Sequence, residues 1–231
     1  PFTISVGAAA QLAFTASPKA SFAGSVLFDQ PVVAIQDAGG NVVTTSTSKL
    51  TLSLTVANGA VLSCATARAA VAGIATYTTC AIDKAGTYSL TARSGELTAA
   101  MSSSFTVTAA PTSLAWSSPT TTGCSARSGT VFALNYFSCG LLSSGHFTSN
   151  VSLSDSSGNV LVNLGAAVSV TISPGSGSVS ATTVTIEHGQ SASSASSTFT
   201  PAYGLLRTSD TVTASSANLS SATATLHPLF L

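Results

Sequence analysis

Cys80-Ala81-Ile82-Asp83-Lys84-Ala85-Gly86-Thr87-Tyr88-Ser89-Leu90-Thr91-Ala92, with Cys64 upstream, is the stretch that decides the fold. Tyr88, Leu90 and Ala92 alternate with Thr87, Ser89 and Thr91, the period of a strand with one face buried. Asp83 and Gly86 supply the turn before it. Leu50–Ala92 thus reads as strand, turn, strand, with Cys64 and Cys80 bracketing a hairpin of Ala60–Ala65 and Gly73–Cys80. Upstream, Leu50, Leu52, Leu54 and Val56 alternate as one strand, Val33 and Ile35 point inward from Pro31–Gln36, and Leu12 and Phe14 do so from Gln11–Ala16. Asp37-Ala38-Gly39-Gly40-Asn41 is a turn, since Gly and Asn accept positive φ at little cost. Met101–Val107 closes the set. The expected fold class is all-β.

Composition sets the compartment and the partners. The chain has 231 residues, 45% hydrophobic but only 6% charged, with seven basic and seven acidic side chains and no net charge. Typical soluble domains carry about 25% charged residues. Serine and threonine fill the gap, at about a third of the chain, so hydroxyls cover the surface. No basic patch exists to bind nucleic acid, and no apolar run is long enough to insert in a membrane. A neutral hydroxylated surface repels its own copies weakly. Four cysteines in two close pairs, without metal-ligand spacing, read as two disulfides, Cys64–Cys80 and Cys124–Cys139. That places the chain outside a reducing cytosol, at an extracellular or cell-surface location.

The sequence repeats. Leu12-Ala13-Phe14-Thr15-Ala16-Ser17-Pro18 matches Leu114-Ala115-Trp116-Ser117-Ser118-Pro119, and Asp37-x-x-Gly40-Asn41-Val42-Val43 matches Asp155-x-x-Gly158-Asn159-Val160-Leu161. Leu50, Leu52 and Leu54 align with Val168, Val170 and Ile172, and Thr91-Ala92 with Thr213-Ala214. Several matches in one order predict two tandem sandwiches, 1–109 and 110–231, joined at Ala109-Ala110-Pro111-Thr112. Trp116 takes the place of Phe14 and is expected in the core. Domain 2 differs in a cystine-bounded insert, 123–140, and has Asp210 where domain 1 has Tyr88.

A Tyr opening a late strand after an Asp-x-Ala-Gly turn is the pattern of the tyrosine corner of immunoglobulin-like sandwiches. With Leu62-x-Cys64, Gly73-x-Ala75-x-Tyr77-x-x-Cys80 and Val33-x-x-x-Asp37-x-x-Gly40-Asn41-Val42, it resembles the bacterial immunoglobulin-like repeats of invasin/intimin type, strung along cell-surface and secreted proteins. The resemblance covers most of domain 1 and is thinner in domain 2. It implies a structural module, a stalk, spacer, adhesive segment or filament subunit, and no catalytic residue.

The polar residues agree with a non-enzymatic reading. The seven acids are spread singly, without the paired carboxylates of acid–base work. His146, His188 and His227 are scattered, so no metal site and no cofactor is expected. Asn150-Val151-Ser152 and Asn218-Leu219-Ser220 fit the acceptor pattern for N-linked sugar, making Asn150 and Asn218 candidate glycosylation sites. Tyr136 and Phe137, inside the insert, are candidate ligand contacts for a surface glycan.

The ends carry the sharpest expectation. Phe2, Ile4 and Val6 alternate with Thr3 and Ser5, and 1–7 reads as a linker or donated strand in need of a sheet. Leu229, Phe230 and Leu231 form an apolar end. These six side chains are the candidate subunit joint. The expected function is an extracellular structural protein, a subunit or repeat of a bacterial surface filament built through terminal strand pairing, with itself or with neighbouring domains of a longer chain as partner. The alternative is an adhesin stalk or a carbohydrate- or surface-binding module.

Overall fold

The structure is a computed structural model that describes residues 5–122, 124–126, 136–139, 146–201 and 210–228. All regular elements among them are strands. The chain divides into two units, Pro1–Ala110 and Pro111–Leu231.

In unit 1 the strands are β1 (Gln11–Ala16), β2 (Ser21–Phe22), β3 (Val32–Gln36), β4 (Lys49–Leu54), β5 (Arg68–Ala69), β6 (Ile74–Thr76), β7 (Gly86–Tyr88), β8 (Leu90–Arg93), β9 (Ala100–Met101) and β10 (Phe105–Thr108). One layer has the order β1-β3-β6; the other is built from β2-β10-β7 and β5-β4-β8-β9, with β7 and β8 separated only by Ser89. Leu12, Val33, Ile35, Ala75 and Tyr77 meet Leu50, Leu52, Tyr88, Leu90, Ala92, Phe105 and Val107 in one buried cluster. The alternation that exposes Thr51 and Ser53 buries Leu50 and Leu52, because successive side chains of a strand point to opposite faces.

Two local expectations give way. The alternation of Leu50–Val56 ends early: β4 stops at Leu54, and Val56 is 61% exposed. Its partner β8 ends at Leu90, opposite Leu54, so no ladder continues to bury Val56. The cysteines do not bracket a hairpin. Leu62 bridges Ile82, whereas Ile74–Thr76 pairs with Val32–Ala34 in the opposite layer. The chain changes layers at Ala72-Gly73, both at positive φ. There the backbone passes so close to Val43 that a Cβ on Gly73 would sit 2.5 Å from the Val43 carbonyl oxygen, a position only glycine fills. At the start of the chain, Ser5 and Val6 are exposed and in no strand of this unit, and residues 1–4, with Phe2 and Ile4, lie outside the described residues.

Unit 2 contains β11 (Ser113–Thr122), β12 (Cys124–Ala126), β13 (Tyr136–Cys139), β14 (His146–Ser154), β15 (Val160–Leu161), β16 (Val168–Pro174), β17 (Ser178–Val179), β18 (Thr183–Ile186), β19 (Ser197–Thr200), β20 (Asp210–Ser216) and β21 (Leu219–Pro228). β14 is flanked by β11 and β19, while β18-β16-β20-β21 forms the facing layer, to which β13 and β12 add. Leu114, Trp116, Phe147, Leu153 and Phe199 pack against Val170, Ile172, Val184, Ile186, Val212 and Ala214. Trp116 is 9% exposed and stands edge-on to Phe147 with ring centroids 5.3 Å apart.

The repeat is visible in three dimensions with one change of register. Leu52 pairs with Ala92, and Ile172, not Val170, pairs with Ala214. Unit 2 therefore holds two more residues between its Asp155 turn and β16 than the sequence alignment assumed. A slip of two keeps every side chain on its original face, so the apolar pattern could not register it.

Candidate functional site

The segment entering unit 1 is set by one carboxylate. Asp37 closes the turn after β3: its Oδ1 accepts the N–H groups of Gly39 and Asn41, both at 2.9 Å. The Asn41 side chain donates to both oxygens, at 3.2 and 3.1 Å. Oδ2 also accepts the N–H of Gly7 at 2.9 Å, thirty residues upstream. The carboxylate is only 5% exposed. The Gly7 N–H, then those of Asn41, hold its pKa down at about 2 from the usual 3.8, because hydrogen bonds to the charged form stabilise it. Ala10 N–H to Gln36 O at 2.8 Å and Gln11 Nε2 to Asp37 O at 3.2 Å continue the attachment. Residues 7–11 are therefore fixed along β3, while Val6, 50% exposed, points away from the core.

Asp155 repeats the turn in unit 2. Its Oδ1 accepts Ser157 and Asn159 N–H at 2.9 Å, and its Oδ2 takes the Asn159 side chain at 3.0 Å. Its pKa is lowered too, first by the Asn159 side chain. The recurrent Asp-x-x-Gly-Asn spelling announced the turn; nothing in sequence linked Gly7 to it.

The remaining sequence candidates fall in separate places. Cys64 and Cys80 form a disulfide, joining the loop after β4 to the loop after β6. Gln30, unremarked in the sequence, accepts the Cys80 N–H on its Oε1 at 2.9 Å. Cys124 and Cys139 are directly opposed in the β12–β13 ladder. Tyr136 and Phe137 lie in β13, which pairs with β12 on one side and with β21 on the other. β13 runs parallel to the last strand of its unit, as β2 does to β10. The described residues of the insert, 124–126 and 136–139, are thus paired as strands. Asn150 sits mid-strand in β14, and its side-chain nitrogen, the atom a glycan would occupy, donates to Ser193 O at 2.6 Å. Asn218 is exposed in the turn between β20 and β21 at φ +62°. Leu229, Phe230 and Leu231 lie outside the described residues, as do Phe2 and Ile4. His146 Nδ1 is 3.1 Å from Thr200 Oγ1, and His188 Nδ1 is 3.1 Å from Gly165 O. No group of three metal-ligating side chains occurs among the described residues.

The observation that decides the class is Tyr88. Its ring is buried in the unit 1 core, and its hydroxyl donates back to Lys84 O at 3.1 Å, four residues upstream. That is the tyrosine corner, on a two-layer sandwich whose first strand switches sheets to run parallel to the last. The fold is immunoglobulin-like. No family model and no curated protein matches the chain. Among solved structures it is similar to the D0–D1 domain of intimin, at 14% identity over 95% of this chain and 98% of that one, with a TM-score of 0.34. It is also similar to the Escherichia coli adhesin FdeC, at 18% identity over 95% of this chain and 64% of that one, with a TM-score of 0.43. Domains 1–6 of the surface layer protein SbsC share 17% identity over 97% of this chain and 28% of that one, with a TM-score of 0.39. These likenesses are likenesses of fold.

Proposed function

We propose that this immunoglobulin-like chain is an extracellular structural module of a bacterial surface, joined to its neighbours by pairing of its terminal strand. The observation that carries the reading is the fixed exit at Gly7. Asp37 ties the chain there and Val6, the residue before it, is exposed; in the sequence Phe2, Ile4 and Val6 alternate with Thr3 and Ser5. Three apolar side chains on one face of an extended segment are stabilised by about 1.5–3 kcal/mol each when a neighbour buries them. Main-chain pairing with a sheet edge adds register. The neutral surface imposes no charge repulsion on close packing of copies. The Cys64–Cys80 cross-link suits an oxidising exterior.

Sedimentation velocity on the chain and on the double variant Phe2→Asp/Ile4→Asp tests this. Assembly by the first and none by the second is the expected result. Equal assembly by both, or none by either, refutes the strand joint and leaves the stalk reading.

A further inference from the structure

β16, β18, β20 and β21 carry a hydroxylated outer face, Val26 and Val61 are exposed apolar side chains, and unit 1 holds an open groove. Only the groove comes with a candidate occupant. It lies between the end of β1 and the start of β10, is about 570 Å³ in volume, and is lined by Phe14, Ser17, Pro18, Lys19, Ser104 and Phe105 among others. Two sheet edges face each other across it. Past Leu12, whose N–H reaches Thr98 O, β1 pairs only with β3 among the described residues. β2 pairs with β10 only at Val107 and Thr108. Pro18 interrupts the first strand as it changes layers, which leaves the seam open. One long hydrogen bond, Ser103 N–H to Ser17 Oγ at 3.4 Å, crosses it.

We propose that this groove is the acceptor for residues Phe2–Val6 of a second copy of this chain, giving a head-to-tail joint. This rests on the strand-pairing reading above and names its other half. The partly buried Phe14 offers apolar contact to one face of an alternating strand, and the edges left unpaired among the described residues offer main-chain partners. The lengths agree: five extended residues span ~17 Å, and Phe14–Pro18 covers ~13 Å at ~3.3 Å per residue.

The chain cannot fill its own groove. Gly7 is held at Asp37, beyond the start of β1, and Phe14 lies seven residues further along, ~23 Å away at ~3.3 Å per residue. Val6 is bonded to Gly7, and the five residues Phe2–Val6 reach ~17 Å from it when extended, short of Phe14. The same latch that presents the strand denies it to its own sandwich. A heterologous contact of this kind propagates as an open filament.

The test uses the full chain with separate lesions. Phe2→Asp/Ile4→Asp removes the donor; Ser104→Arg, an exposed position in the groove wall, blocks the acceptor, with Thr106→Lys as a second blocking variant in case one misfolds by circular dichroism. In sedimentation each is expected to weaken assembly by on the order of a hundredfold. A mixture of donor-dead and acceptor-dead chains is expected to form dimers and nothing longer, because one intact strand meets one intact groove. Assembly that needs Phe2 and Ile4 but ignores both groove variants overturns the groove while leaving the strand joint standing. A wild-type chain that stays monomeric overturns both. A mixture that stays monomeric overturns the head-to-tail arrangement.

Discussion

Replacing Cys64 and Cys80 together by alanine should lower the stability of unit 1 by about 3 kcal/mol. The two residues are 16 apart in sequence, and in the chain-entropy account a loop of that length frees ~10 cal/mol/K in the unfolded state when opened. The native neighbourhood should survive the change. Ser63 Oγ donates to Thr79 O at 2.7 Å and accepts the Ala81 N–H at 2.8 Å, and Leu62 still bridges Ile82. Most of the penalty is therefore assigned to the unfolded chain, with the two buried sulfurs, Cys64 at 7% and Cys80 at 0% exposed, adding lost packing to it. At a urea slope of roughly 1–3 kcal/mol/M the unit 1 midpoint should fall by about 1–3 M. Far-UV circular dichroism follows both units. Trp116, the single tryptophan, sits in the core of unit 2 and reports that unit by fluorescence. The dichroism transition of unit 1 should move while the fluorescence transition holds. A unit 1 shift below about 1 kcal/mol would show that the loop closure is not what the disulfide contributes. A parallel shift of the Trp116 signal would show that the effect is not local to unit 1.

Four further outcomes follow from the same geometry. Tyr88→Phe keeps the buried ring and deletes only the hydroxyl's bonds to Lys84 O and, more weakly, Ala85 O, so unit 1 should lose about 1 kcal/mol, read by urea denaturation. Asn163, 1% exposed, donates to Ala166 O and Ile186 O and accepts the Gly165 N–H; Asn163→Ala should cost unit 2 about 2–4 kcal/mol, seen in the Trp116 transition. The lowered pKa of Asp37 makes its contribution complete above the ordinary carboxylate range and lost as pH falls from about 4 through about 2. Melting temperature of unit 1 should therefore fall across that window, and more shallowly in Asp37→Asn, in which the side chain carries no charge to lose. The opposed backbone positions of Cys124 and Cys139 predict a linked peptide pair in a non-reduced digest, and a mass spectrum with both thiols alkylated would count against it.

Part of the proposed joint was legible in the sequence and part was not. The alternation of Phe2, Ile4 and Val6, the Asp-x-x-Gly-Asn turns and the Tyr88 pattern are local, within reach of period and turn chemistry. The Gly7–Asp37 bond spans thirty residues, and a backbone N–H carries no side-chain signature that could announce it. The serines of unit 2 were legible only as surface, yet Ser149, Ser152 and Ser193 are buried. Ser149 and Ser152 return their hydroxyls to the carbonyls of Ser117 and Ala115 on β11. Ser193 Oγ donates to Ala195 O and also accepts the Val151 N–H. A hydroxyl can be outside in water or inside on a carbonyl, and composition does not distinguish the two.

Sequence alone determined that this chain is all-β, repeated, cross-linked by cystine and sparse in charge, because strand period, turn residues and cysteine spacing act over a few residues. Tertiary structure alone decided which edges stay open, where Val56 escapes burial, that the cystine joins loops from two layers, and that the entering segment is latched at Asp37. Those depend on which distant strands run out of partners, and a strand's own residues do not encode where its neighbour ends.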